Sequence, residues 1–335
     1  MSTGGWLALD VGGANLKAAH EAGMVASRRF ALWREPSGME RELRSLGATF
    51  PPFDKVALAM TAELCDCFET KAEGVRSVVD AVASAFEERS IRVWTTDGDL
   101  CGPPDVSIRP LSAAASNWLA LAEVAARLMP EGPGLVLDIG STTADLIPTR
   151  DGRVATASRT DADRLAAGEL VYLGTRRTPI CALATSIPHR GRRVGLMAEL
   201  FATTLDVYLT LGAVADDPSD LDTADGRPAT ASAARDRLSR MVGADREAFD
   251  AEDALDMSRH LDGLIVDRLG SAAGGRRLAG VVVSGSGRHL ALRVARRLVD
   301  AHRVIDLADL WGPEAADAAC ASALLRLAVE RGAEG

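Results

Sequence analysis

Apolar runs and short polar breaks alternate from the first residues of the chain onward. "WLALDV" and "NLKAAH" read as two strands joined by "GGA", a turn whose glycines suit positive φ. "KVALAM" reads as a short buried strand and "IRVWTT" as another. Between them, "KAEGVRSVVDAVASAFEER" spaces its apolar residues at helical intervals. The run "LSAAASNWLALAEVAARL", residues 111–128, predicts a helix. "MPEGPG", residues 129–134, then breaks the chain with proline and glycine.

The opening pattern returns after that break. "GLVLDI" and "TADLIPT" read as strands around "GST", and "DGRV" turns into a further strand. Residues 160–193 are rich in turns and basic residues. "VGLMAELFATTLDVYLTLG" predicts a helix from Val194 to about Leu211, with Met197, Leu200, Phe201, Leu205 and Tyr208 as its core-facing stripe. A polar, acidic loop covers 215–230, and three helical stretches are expected from there to about Leu269. "LAGVVVSGSGRHLALRVARRL" reads as a buried strand, a glycine turn and a helix. A last helix lies near "AADAACASALLRLAVE". Each half therefore offers a strand, an aspartate, a glycine turn and a returning strand. That duplication predicts an α/β protein of two domains around a cleft. The expected division is 1–130 and 131–335, with the last helix packing back on the first domain.

Composition supports two ordered domains. The chain has 335 residues, 47% of them hydrophobic, and only 4% aromatic, so aliphatic side chains must fill the cores. The net charge of −9 is spread along the chain and opposes nucleic acid as the main partner. "GTRRTPI" and "PHRGRRVG" form a local basic exception that suits a small anion; His189 within it reads as merely exposed. No apolar run reaches the roughly 18–20 residues of a membrane span, and no charged leader precedes the first strand. The five cysteines include no CxxC pair, which suits reduced thiols in the cytoplasm. "CDC", Cys65 to Cys67, lacks the second ligand pair a metal site needs.

Chemistry concentrates at the two turns. Asp10 and Asp138 end their strands, where a carboxylate can hold Mg²⁺ directly or through water. Neighbouring glycines let backbone N–H groups approach an anion closely. Asn15 in the first turn, with Ser141, Thr142 and Thr143 in the second, adds side-chain donors, and Lys17 adds a charge. Each turn also fits an ordinary hairpin; the pair in separate halves is what suggests phosphate binding. Gly285 and Gly287 in "VVVSGSGRHL" lie between a strand and a helix, which would expose the helix N-terminus to a ligand.

This combination resembles the actin, sugar kinase and Hsp70 superfamily. The resemblance implies an actin-like (ribonuclease H-like) duplicated fold, in which two hairpins bind phosphates and a later glycine turn binds the nucleoside end of ATP. It runs closest at "LDIGSTTADL" and looser at "LDVGGANLKA" and at Gly285-Ser286-Gly287. Other segments narrow it: "AMTAELCDCFETKAEGV", "AAASNWLA", "GELVYLGTRRTPICAL" and "DTADGRPAT" are similar to the hydantoinase/oxoprolinase-like branch tied to tetrahydromethanopterin-linked one-carbon transfer. Its archaeal members are synthases of methanofuran biosynthesis. The resemblance implies a transferase joining an aminomethylfuran diphosphate to a tyramine- or tyrosine-derived phenol, forming an ether and releasing diphosphate. In bacteria the product would be the related methylofuran. Small-molecule substrates are the expected partners, with no nucleic acid and no membrane; a homodimer is one open arrangement.

On this reading Asp10 and Asp138 hold Mg²⁺. Gly12, Gly13, Asn15, Lys17, Gly140, Ser141, Thr142, Arg176, Arg177, Gly285 and Gly287 bind diphosphate. Glu63 and Asp66 are candidate bases for the phenol proton, or else caps of the following helix, and Lys71 would bring charge to phosphate. Asp222, Asp225 and Arg227 either close over substrate or form an N-cap turn. Two other readings stand beside the transferase: an ATP-dependent kinase or ATPase, and a non-catalytic nucleotide-binding subunit.

Overall fold

A computed structural model describes residues 5–275 and 277–332. The contact pattern divides the chain into two units. One holds the residues up to Val136, Ile147–Ala167 and those from Ile305 on; the other holds Leu137–Leu146 and Gly168–Val304.

In the first unit, β1 (Gly5–Val11), β2 (Asn15–His20) and β3 (Val25–Arg29) form an antiparallel meander. β1 pairs in parallel with β4 (Phe53–Met60), and β4 with β5 (Ser90–Trp94). The edge strand β6 (Leu100–Cys101) completes the order β3-β2-β1-β4-β5-β6. Strand alternation gives this sheet two different faces. Leu7, Leu9, Val11, Val56, Leu58 and Met60 join Leu43 and Leu46 of α1 (Met39–Gly47) in one core. Val75, Val78 and Val82 of α2 (Lys71–Ala85) belong to the same core.

The opposite face carries the small residues Ala8, Ala57 and Ala59, all fully buried. Against β1 lies the alanine-rich C-terminal helix α12 (Ala319–Gly332), which also packs on α4 (Asn117–Ala126). The short α3 (Pro103–Ile108) and α5 (Asp161–Ala167) complete this unit together with α10 (Leu307–Trp311) and α11 (Pro313–Asp317).

The second sheet has the order β10-β8-β7-β13-β14, with β9 on β8. Its strands are β7 (Pro133–Ile139), β8 (Ala144–Arg150), β9 (Arg153–Val154), β10 (Leu170–Val171), β13 (Gly280–Ser284) and β14 (Val304–Asp306). The chain leaves the first unit within β7 and re-enters it within β8. The continuous division at 130/131 is therefore replaced by a discontinuous one. The reason is local: the β8–β9 turn is tied to the Met129–Gly132 segment, with Gly152 N donating to Met129 O and Asp151 N to Gly132 O. The second unit also holds the hairpin β11 (Ser186–His189) with β12 (Arg192–Gly195), and the helices α6 (Thr204–Thr210), α7 (Ala231–Met241), α8 (Ala251–Ala272) and α9 (Arg288–Leu298).

Three expected helices differ. The run 111–128 is helical only over Asn117–Ala126, because a 3₁₀ turn at Pro110–Ser112 and the positive φ of Ala115 precede it. The helix expected from Val194 begins only at Thr204. Thr203 takes extended backbone there, and its N–H is capped by Asp206 Oδ2 at 2.9 Å. Met197 and Leu200 are accordingly exposed, whereas Leu205 and Tyr208 are buried. Between residues 230 and 272 two helices stand in place of three.

Candidate functional site

The two aspartate–glycine turns repeat each other in their hydrogen bonding. Gly12 N donates to Asn15 O at 3.0 Å, and Gly140 N donates to Thr143 O at 2.9 Å. Each glycine lies two residues beyond its aspartate, and each bond closes the turn at the same spacing. None of Gly12, Gly13 and Gly140 takes a positive φ, contrary to the expectation for the first turn. Close approach is what Gly13 supplies instead: a Cβ there would stand 2.6 Å from Cys65 Sγ.

Around the first turn, Asp10 is buried and lies opposite Lys17 in the β1–β2 register. Asn117 Nδ2, from the first residue of α4, donates to Asp10 Oδ1 at 3.1 Å. Asn15 opens β2, half-buried. Lys17 Nζ donates to the Asp317 carbonyl at 2.7 Å, which holds its ammonium in place.

β4 runs beside β1 and delivers the next group of candidates. Glu63 sits in a 3₁₀ turn, Ala62–Leu64, and is 1% exposed. The turn lies tight on α2 because Gly74 lacks a side chain; a Cβ there would come within 2.4 Å of Glu63 O. Glu63 Oε2 has no hydrogen-bond partner among the described residues. Burial, with a smaller push from Asp161, raises this carboxyl to about 7 against the opposing charge of Lys71. Lys71 Nζ pairs with Asp161 Oδ2 at 2.9 Å, and α5, which carries Asp161, is anchored by Arg164 lying over the Trp118 ring at 4.2 Å. Asp66 is exposed.

The second unit gathers its own candidates around Asp138. Ser284 Oγ, at the end of β13, donates to Asp138 Oδ1 at 2.6 Å. Gly285 follows with φ +89°, and a Cβ on it would meet Ile139 O at 2.4 Å and Asp138 Oδ1 at 2.6 Å. Gly287 N donates to Ile139 O at 2.7 Å, so the glycine turn is bonded directly to the strand carrying Asp138. Ser141 and Thr142 are half-buried, with their hydroxyl oxygens 3.4 Å apart.

The "GTRRT" segment wraps this turn with its backbone. Thr175 N donates to Gly140 O, and the N–H groups of Arg176 and Arg177 both donate to Ser141 O, each at 3.0 Å. Gly174 permits the approach, since a Cβ would fall 2.4 Å from Thr142 N. The Arg176 side chain points to Asp220 and Asp222, with Nη2 2.8 Å from Asp220 Oδ2 and 2.7 Å from Asp222 O. Its guanidinium thus anchors the 215–230 loop.

Asp225 and Arg227 likewise belong to an ion network. Arg237 is fully buried and donates to Asp206 and Asp225, while Arg227 pairs with Asp225 and Asp236.

Asn117, Ser284, Asp161 and Thr175 are partners that the sequence reading did not single out. Asn117 and Ser284 stand inside quoted motifs, "AAASNWLA" and "VVVSGSG", but only their three-dimensional pairing marks them.

These features define a duplicated, two-domain α/β protein of the actin-like class. A nucleotide-free structure of acetone carboxylase shares the fold, with a TM-score of 0.54 and 13% identity over 95% of this chain and 70% of that chain. The chain belongs to the hydantoinase/oxoprolinase family, whose family model matches residues 54–307. A curated relative from Methanocaldococcus jannaschii is 33% identical over 328 residues, covering 96% of both chains, and is named (4-{4-[2-(gamma-L-glutamylamino)ethyl]phenoxymethyl}furan-2-yl)methanamine synthase. A relative from Methanococcus vannielii with the same name is 30% identical over 160 residues, 47% of this chain and 72% of its own length. No helix among the described residues is long and apolar enough to cross a membrane.

Proposed function

We propose that this protein is a transferase of methanofuran or methylofuran biosynthesis. It would join an aminomethylfuran diphosphate to a tyramine- or tyrosine-derived phenol. The observation that carries this reading is the match over 96% of both chains to a synthase whose product name contains a phenoxymethylfuran ether. In the reaction, the phenol oxygen forms a bond to the furan-bound methylene carbon. The bond from that carbon to diphosphate breaks, diphosphate leaves with the electron pair, and the phenol proton passes to a base. The furan oxygen stabilises the developing cation, so the main demand on the protein is to neutralise the leaving group.

Backbone N–H groups and hydroxyls of the two turns suit that demand. Each unit carries its own candidate phosphate contacts: Gly12, Gly13 and Asn15 at the first turn, and Gly140, Ser141, Thr142, Gly285 and Gly287 at the second. Lys17 contributes charge from a fixed position. Arg176 acts as a positioning residue through Asp220 and Asp222, while Arg177 is the assigned guanidinium fork. Glu63 is the assigned base. It is buried, with an ionisation near neutrality that matches a proton acceptor at physiological pH. Lys71, held by Asp161, opposes the upward shift of Glu63.

The donor set fits Mg²⁺. Among the described residues no group of three His, Cys, Asp or Glu gathers, and Mg²⁺ needs only one or two carboxylates with substrate phosphate and water. In the first unit Asp10, oriented by Asn117, and in the second Asp138, oriented by Ser284, are each a residue that would hold it. Bound there, the ion would neutralise charge on the diphosphate.

The test supplies purified protein with aminomethylfuran diphosphate, Mg²⁺ and a tyramine- or tyrosine-based phenol, beside an arm with ATP. Phenol-dependent diphosphate release with the ether seen by mass is the expected result. ADP formation without ether would replace this reading by a kinase or ATPase.

A further inference from the structure

A cavity of about 300 Å³ lies in the second unit, away from the Asp138 turn. Its wall is built from three segments: Arg277 and Leu278 before β13, Arg296 and Arg297 in the last turn of α9, and Asp300 with Arg303 in the link to β14. Leu278 and Gly285 flank opposite ends of β13, and Gly287 and Leu298 those of α9. At about 3.3 Å per strand residue and 1.5 Å per helical residue, the cavity stands roughly 16–23 Å from the glycine turn.

The wall is rich in arginine from three separate segments. Elsewhere in this unit Arg176, Arg190, Arg227, Arg237, Arg246 and Arg293 form ion pairs with carboxylates. At the cavity, Arg297 pairs with Asp267 of α8. The side chains of Arg277, Arg296 and Arg303 have no ion pair among the described residues. Three unpaired guanidinium groups against the one carboxylate of Asp300 leave a local charge of about +2, in a chain whose net charge is −9. The negative end of the α9 dipole accounts for basic residues in its last turn. It does not account for Arg277 and Arg303, which reach the same space from other segments.

We propose that this cavity is a second anion site, separate from the two turns, for a compact oxyanion of two or more charges, of the diphosphate class. Guanidinium forks bind phosphate oxygens in pairs, and three of them around one space suit a ligand with several oxygens better than a single carboxylate. The site does not depend on the proposed transferase reaction.

Calorimetric titration of the full chain with sodium diphosphate tests it, run for the wild type, for R296Q/R303Q and for S141A/T142A. Because Arg296 and Arg303 are exposed, the double variant is expected to keep the wild-type melting temperature. The expected result is a diphosphate-binding event that weakens at least tenfold in R296Q/R303Q and persists in S141A/T142A. Binding that weakens steeply with added salt belongs to the same expectation. If R296Q/R303Q binds diphosphate as the wild type does, the proposal is overturned. If the wild type shows one event and R296Q/R303Q none, the cavity site stands and the phosphate role of the turns fails. Parallel titrations with sulfate and citrate define the ligand; citrate binding tighter than diphosphate would overturn the assignment to the diphosphate class.

Discussion

Ser284 donates its hydroxyl to Asp138 at 2.6 Å, joining residues 146 positions apart in the chain. The bond fixes the direction of the carboxylate assigned to Mg²⁺. Replacing Ser284 by alanine is expected to weaken Mg²⁺-supported diphosphate binding about tenfold, the scale of a hydrogen bond to a charged group. Calorimetry at fixed Mg²⁺ reads this directly, and an unchanged affinity would remove Asp138 from the proposed ion site.

The contact of Gly13 with Cys65 predicts a rescue. A methyl group at position 13 would stand 2.6 Å from Cys65 Sγ, so G13A should destabilise the first unit by about 1–3 kcal/mol. Removing the sulfur in G13A/C65A should restore part of that loss. Urea unfolding of the two variants checks the pair, and equal stability of both would contradict the close approach.

Glu63 links pH to stability and to rate with opposite signs. Its carboxyl titrates at about 7 in the folded chain, above the ordinary 4.5. Between those values the folded state holds the extra proton, so stability falls as pH rises and levels off above about 7. The full difference is roughly 3 kcal/mol. E63Q should abolish this slope and melt higher than wild type at pH 8. The same variant should lose about 10²–10⁴ in phenol-dependent rate, whereas the wild-type rate should climb with pH towards a plateau above 7. Melting curves from pH 4 to 9 and a pH–rate profile supply both readouts.

Arg237 and Asp206 form a buried pair at 2.7 Å, with side-chain exposures of 0% and 1%. Breaking it on one side leaves a carboxylate without its cation. R237M is therefore expected to cost about 3–5 kcal/mol, and D206N/R237M less than R237M alone. Denaturant midpoints of the single and double variants decide this.

The repeated strand–Asp–Gly pattern was legible because it is local: an apolar run, a carboxylate and a turn lie within a dozen residues. The bonds that orient the carboxylates were not, since Asn117 reaches Asp10 across 107 residues and Ser284 reaches Asp138 across 146. Glu63 was visible as a carboxylate after a strand; its burial depends on Gly74 accepting the turn against α2. The helix expected from Val194 failed for the opposite reason. Its apolar spacing fits a helix, but the cap at Thr203 stops the helix short, and Met197 and Leu200 face solvent. In "GTRRT" the guanidinium groups suggest an anion contact from sequence, yet it is the backbone of that segment that encloses Gly140 and Ser141.

The packing of α12 on β1 and α4 has a consequence for the order of synthesis. β1 is made long before α12, the helix that covers it. The second unit draws most of its residues from one uninterrupted stretch, 168–304, and has them all in hand before α12 exists. On the ribosome, the earlier half of this chain is therefore the later one to close.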